Sequence, residues 1–118
     1  MRHDFKINTM TTTKTDLFSP ELQHKARLFK ALAHPARLAI LQYLAEIKCC
    51  ITGNIAEEIP LGRTTVNQHL KELKEADLIR GTVEGAKTNY CLNAQAIEDL
   101  RRESDAFLSG IDVGKNFC

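Results

Sequence analysis

Apolar residues recur along the middle of the chain with two different periods, and the change of period sets out an architecture. Leu22, Ala26, Phe29 and Ala33 fall three to four positions apart, the spacing of one helix face. Ser19-Pro20-Glu21 in front of them supplies a start. Ser can accept from a free amide, Pro suits the first helical position, and Glu favours the positive end of the helix dipole. His34-Pro35 breaks this helix, because Pro disfavours helical geometry in the residue before it yet begins a new helix well. A second helix then carries Leu38, Leu41, Tyr43, Leu44 and Ile47. Thr52 is placed to cap a short third helix bearing Ile55, Ala56 and Ile59, which Pro60 ends. Beyond the tight turn Pro60-Leu61-Gly62, a fourth helix is expected from about Arg63 to Ala76, with Val66, Leu70 and Leu73 on one stripe.

The period then shortens to that of strands. Leu78 to Val83 and Thr88 to Leu92 read as a β-hairpin joined around Glu84-Gly85. From Ala94 to Leu108 the helical period returns through Ile97, Leu100 and Phe107. The order helix, helix, helix, turn, helix, hairpin, helix predicts a mainly α fold with a small β-hairpin: a winged helix-turn-helix, expected to be dimeric. Residues 1–18, threonine-rich and poor in periodic apolar positions, are expected to form a flexible polar tail. Residues 19–110 form the expected winged helix-turn-helix domain with flanking dimerisation helices, and residues 111–118 a C-terminal tail.

The chain's 118 residues fit one compact domain and leave no room for a second of full size. The longest uninterrupted apolar run, Leu38 to Leu41, is far too short to span a bilayer, so no membrane partner and a cytoplasmic location are expected. A formal net charge of +1 exerts no global pull on nucleic acid, so any DNA-binding reading must rest on local arrangement. The charges are segregated: Leu22 to Ala45 holds four cations (Lys25, Arg27, Lys30, Arg37) and no acid, whereas Glu98 to Asp112 holds five acids against Arg101 and Arg102.

The face of the fourth helix opposite its apolar stripe presents Thr64, Gln68 and Lys71, with Arg63, Thr65 and Asn67 near the helix start. Asn and Gln can pair with adenine, Arg with guanine, and Thr or Lys with phosphates or bases, so this is a candidate surface for the DNA major groove. Any exposed helix face is polar. What distinguishes this one is that it opens with small polar and amide residues and that a hairpin follows directly. Glu72, Glu75 and Asp77 sit toward the far end of the helix, where phosphate contact is not required. Lys87, beside the Gly85 turn, is the candidate wing contact to a phosphate or the minor groove, with plain solvation as the alternative.

Leu28-Phe29-Lys30-Ala31-Leu32-Ala33-His34-Pro35-Ala36-Arg37-Leu38, followed by Leu61 to Ile79, resembles the ArsR/SmtB family of winged-helix repressors. Thr65-Val66-Asn67-Gln68-His69-Leu70-Lys71-Glu72-Leu73 is the most specific part of the likeness, which covers about residues 22 to 95. The resemblance implies a homodimer formed by the first and last helices, bound to a palindromic operator in double-stranded DNA and released by an inducer. Gly62 and Asp77 stand where the family usually has Ser and Gly, so the capping at both ends of the fourth helix departs from its pattern.

Four cysteines suggest reduced thiols rather than a disulfide framework. Many regulators similar to this family sense soft metals or metalloids through Cys-x-Cys at the start of the helix before the turn; here those positions align with Ile51 and Gly53. Cys49 and Cys50 lie just upstream, Cys91 ends the second wing strand, and Cys118 ends the chain. Three sulfurs would suit trivalent arsenic or a similar thiophile, making Cys49, Cys50 and Cys91 a candidate metalloid site or redox thiols. Adjacent cysteines converge only in an irregular loop, which Lys48 to Ile51 is read as, and small buried hydrophobes are the plain alternative. The last helix contains no His, so the family's other, zinc-type site is unsupported, and no resident cofactor is required. His69 is assigned to helix packing or a phosphate contact. No phosphate loop, HExxH or nucleophile motif supports an enzyme; the recognition face, more polar than a typical interface core, favours DNA, with a ligand-independent winged-helix regulator or a protein-binding winged-helix module as the alternatives.

Overall fold

The structure, a computed structural model, describes residues 14–47, 50–111 and 113–114. A single 3-10 turn, Lys14–Leu17, falls within the segment expected to be tail. Helix α1 spans Pro20–Leu32, and Ser19 caps it as expected, its hydroxyl accepting from the Leu22 amide at 3.2 Å. Helix α2 spans Pro35–Ile47. His34 begins it, its ring Nδ1 accepting from the Ala36 amide at 3.0 Å, so the residue that breaks one helix caps the next. Helices α3 (Thr52–Glu58), α4 (Arg63–Glu75) and α5 (Ala94–Ser109) lie close to the expected bounds.

The sheet differs from the expected two-stranded hairpin. Strands β2 (Ile79–Glu84) and β3 (Lys87–Leu92) form the antiparallel wing, and a short strand β1, Cys50–Ile51, pairs with β3 on its other side. Expecting Lys48 to Ile51 to be an irregular loop was therefore wrong for Cys50 and Ile51. A two-residue strand has no period to detect, and its ladder partners lie some forty residues away, Cys50 opposite Tyr90 and Ile51 opposite Asn89. The hairpin turn is Gly85-Ala86, one position later than expected, and it draws Glu84 and Lys87 into register as the last ladder pair. Gly85 has φ +64°, which a residue with a side chain adopts only with strain. Gly81 serves a different purpose. A Cβ there would stand 3.0 Å from the Tyr90 ring, so glycine lets that ring lie across the ladder.

The core is built around α2, α3 and α4: Ile40, Leu44, Ile55, Val66, Leu73 and Leu78 are fully inaccessible, and Leu70 and Ile79 nearly so. Each such burial removes enough apolar surface from water to stabilise the fold by about 1.5–3 kcal/mol. The flanking helices contribute much less. In α1 only Ala31 is buried, and in α5 no residue is. Ile97 and Leu100 pack against the core from outside, while Phe107 meets Phe29 of α1 with ring centroids 6.2 Å apart.

Candidate nucleic-acid interface

The turn between α3 and α4 is compact for local reasons. Pro60 cannot donate a helical hydrogen bond, and the Leu61 amide turns back onto the Ile59 carbonyl at 2.7 Å. Gly62 is the N-cap residue of α4, extended at φ −65° and ψ 156°, and its carbonyl accepts from the Val66 amide at 3.0 Å. It supplies no side-chain cap, so the first-turn amides of α4 stay open at the end where the dipole favours negative charge.

The far end of α4 closes in a Schellman pattern. The Leu78 amide reaches the Leu73 carbonyl at 3.0 Å and the Asp77 amide the Lys74 carbonyl at 2.9 Å. Asp77 takes the left-handed conformation, φ 63°, that this motif demands and that Gly adopts more cheaply. Buried Asn93 secures the corner: its amide Nδ2 donates to the Asp77 carbonyl at 2.9 Å, its backbone N–H donates to Leu78, and its Oδ1 caps α5 by accepting from the Ala96 amide. One residue thus joins the end of α4, the start of the wing and the last helix.

Between these ends α4 has two faces. Val66, His69, Leu70 and Leu73 are buried, whereas Arg63, Thr64, Thr65, Asn67, Gln68 and Lys71 are all exposed. The six residues singled out on this helix therefore lie together on its open side. Lys87 is exposed too, but as the first residue of β3 opposite Glu84, a carboxylate that offsets part of its pull on a phosphate. The wing also exposes Arg80 and Val83, the latter 72% accessible; neither was singled out, since alternation along a strand does not say which positions reach a partner.

His69 is a packing residue and leaves no side of itself for a phosphate. It is 8% exposed, and its Nδ1 lies 3.0 Å from Nη1 of Arg37. Arg37 in turn donates from Nε to the Ala31 carbonyl at 2.6 Å and from Nη2 to the Lys30 carbonyl at 3.1 Å, covering the open C-terminal end of α1. The His34 ring lies against that of His69, centroids 4.1 Å apart and the planes tilted by 42°. Burial first, then the neighbouring His34 and Arg37, hold the His69 pKa below its usual 6.5, with Glu72 opposing. The sequence offered only the segment His34-Pro35-Ala36-Arg37; that Arg37 turns back to α4 needed the fold.

The cysteines are only partly placed. Cys49 and Cys118 lie outside the described residues, Cys50 is in β1, and half-buried Cys91 is registered with Arg80 in the wing. Among the described residues no three His, Cys, Asp or Glu side chains are grouped to hold a metal ion. Also among them, no helix is long and apolar enough to cross a membrane.

Comparison with known proteins bears on this geometry. A helix-turn-helix domain model matches residues 32–82, the stretch from the end of α1 to the middle of β2. The chain is similar to the HTH-type transcriptional regulator Rv2034 of Mycobacterium tuberculosis, 36% identical over 81 residues that make up 69% of this chain and 75% of the relative. It is also similar to the transcriptional repressor PagR of Bacillus anthracis, 32% identical over 79 residues, 67% of this chain and 79% of that one. Among solved structures it matches a possible transcriptional regulator for arsenical resistance with a TM-score of 0.63 and 31% identity, over 70% of this chain and 83% of the other.

Proposed function

Because the chain belongs to the ArsR-like winged helix-turn-helix transcriptional regulators, a family that binds DNA and is not enzymatic, we propose that it is a homodimeric repressor that reads a palindromic operator with α4 and releases it on a signal. The observation that carries this reading is the two-faced recognition helix: a fully buried stripe fixes its pose, and the opposite side presents six exposed residues able to address bases and phosphates. Asn67 and Gln68 read base edges, Arg63 pairs with a guanine or a phosphate, and Thr64, Thr65 and Lys71 hold the backbone. Lys87 touches the flanking groove from the wing.

Dimerisation through α1 and α5 is supported by what they leave uncovered. Phe18, Leu22, Ala26, Phe29 and Phe107 line an open apolar groove of about 380 Å³ between the two helices, and Leu22 and Leu108 are 46% and 61% exposed. A second copy seated there would place two α4 helices one turn of DNA apart, about 34–36 Å. The relative known as a repressor favours repression over activation.

The signal, in this reading, acts on thiols. Pairing of β1 with β3 sets Cys50 and Cys91 on neighbouring strands one register position apart, at the joint between the wing and the helix-turn-helix. Joining the two through a bond or a thiophilic ion, with Cys49 or Cys118 assisting, would tie together the two elements that must both dock on DNA. The structural match to a protein of arsenical resistance favours a thiophile as inducer.

The test is a set of binding titrations on a duplex selected from random sequence. Gln68→Ala and Asn67→Ala should relax sequence preference by about 1–3 kcal/mol, while Lys71→Ala and Lys87→Ala should weaken all sequences alike and lower the salt slope by about one per site. If all four variants bind like the wild type, α4 is not the reading helix. A Cys50→Ser, Cys91→Ser double variant that responds to arsenite and to oxidant as the wild type does would remove the thiol signal and leave the rest standing.

A further inference from the structure

His69 is the only polar residue on the buried side of the recognition helix. It follows Gln68 directly, so whatever turns one turns the other. Its contact with Arg37 has a fixed polarity. A guanidinium can only donate, so Nδ1 of His69, 3.0 Å from Nη1, must accept; the ring is then neutral, with its proton on Nε2. Arg37 cannot yield by moving away, because its other nitrogens are engaged by the Ala31 and Lys30 carbonyls.

We propose that the Arg37–His69 hydrogen bond is a proton-sensitive positioning contact that sets the pose of α4 on the α1–α2 corner, so that operator affinity falls as the medium is acidified. A proton on Nδ1 would remove the only acceptor facing Nη1 and set two donors against each other. It would also place a second positive charge directly beside that of Arg37 of α2. Glu72, one turn along α4, is the one charge that favours the proton, while burial opposes it. The lever is short. Turning a helix by about 10° moves a side-chain end about 5 Å from the axis by about 1 Å, enough to misplace an amide paired with a base edge.

The sign of the effect separates this contact from ordinary electrostatics. Protonating histidines adds positive charge and by itself strengthens attraction to phosphates, so a merely charged surface would bind DNA better in acid. A positioning contact does the reverse. By reciprocity, if protonation of His69 weakens DNA binding, bound DNA must make His69 harder to protonate, a response that a residue concerned only with folding would not give.

The inference rests on α4 being the DNA-facing helix, and the experiment keeps the two apart. Full-length protein is titrated with a duplex it has itself selected from random sequence at pH 7.5, and fluorescence anisotropy is followed from pH 7.5 to 5.5. Imidazole NMR of His69 is recorded with and without that duplex. Wild-type affinity should fall on the order of fivefold or more across this range. His69 should titrate at lower pH with the duplex bound. His69→Gln, whose amide oxygen can accept from Arg37 without titrating, should bind like the wild type at pH 7.5 and lose the acid response. Affinity that is flat or rises in acid, or a His69 titration indifferent to DNA, would overturn the proposal. If His69→Gln does not fold, the wild-type NMR pair decides alone. Failure to bind any duplex at pH 7.5 would overturn the reading of α4 and this inference with it.

Discussion

The inner helices and the outer pair are composed of similar residues but are finished to different degrees. In α2, α3 and α4 the apolar stripes are closed: Ile40, Leu44, Ile55, Val66 and Leu73 have no accessible surface. In α1 and α5 equally regular stripes stay open, with Phe29 36% and Leu22 46% exposed and no residue of α5 buried. Period alone does not distinguish the two cases. The stripe shows which face of a helix is apolar; what covers that face depends on how many neighbours the fold provides. One chain supplies enough helices to enclose the reading unit but not its flanks, which is why a second copy belongs in the functional reading.

Several substitutions would break or sharpen this contrast. The largest effect is expected inside. Leu70→Ala leaves a cavity beneath the recognition helix and should cost about 3 kcal/mol in urea unfolding, with DNA binding lost alongside stability. Asn93→Ala comes next, at about 2 kcal/mol, since it removes the α5 cap and leaves the part-buried Asp77 carbonyl without its side-chain donor.

On the outer pair the readout should change in kind. Phe29→Asp introduces a charge into the open groove of α1 and α5, where a single chain tolerates it because it stays hydrated. Monomer unfolding should move by no more than about 1 kcal/mol, while sedimentation equilibrium should show dimer association weakened about a hundredfold. If dimerisation were untouched, the seam would lie elsewhere and the contrast between closed and open helices would lose its meaning. The smallest effect is at the left-handed corner: Asp77→Gly relieves the backbone there, offset by a floppier unfolded chain, for a net gain of about 0.5 kcal/mol in thermal unfolding.

Much of this was legible in residue order. Ser19-Pro20 set the start of α1, His34-Pro35 its end, and Pro60-Leu61-Gly62 the turn, because these residues act through their own backbone and need no distant partner. The Val66, Leu70 and Leu73 stripe fixed which way α4 faces, and hence which six residues lie open, because a helix is rigid enough that one buried face determines the other. The third strand was not legible. Two residues carry no period, and Cys50–Ile51 becomes a strand only because β3 arrives beside it from residues 89 and 90. Nor were the roles of His69, Arg37 and Asn93: each is a polar side chain whose meaning is the carbonyl or ring it meets 16 to 32 residues away. Sequence determines what a residue does to its own turn of chain, through torsions and caps that close within a few positions. Which buried donor meets which acceptor was decided by the tertiary structure, because the cost of leaving a polar group unpaired is levied only once packing has removed the water.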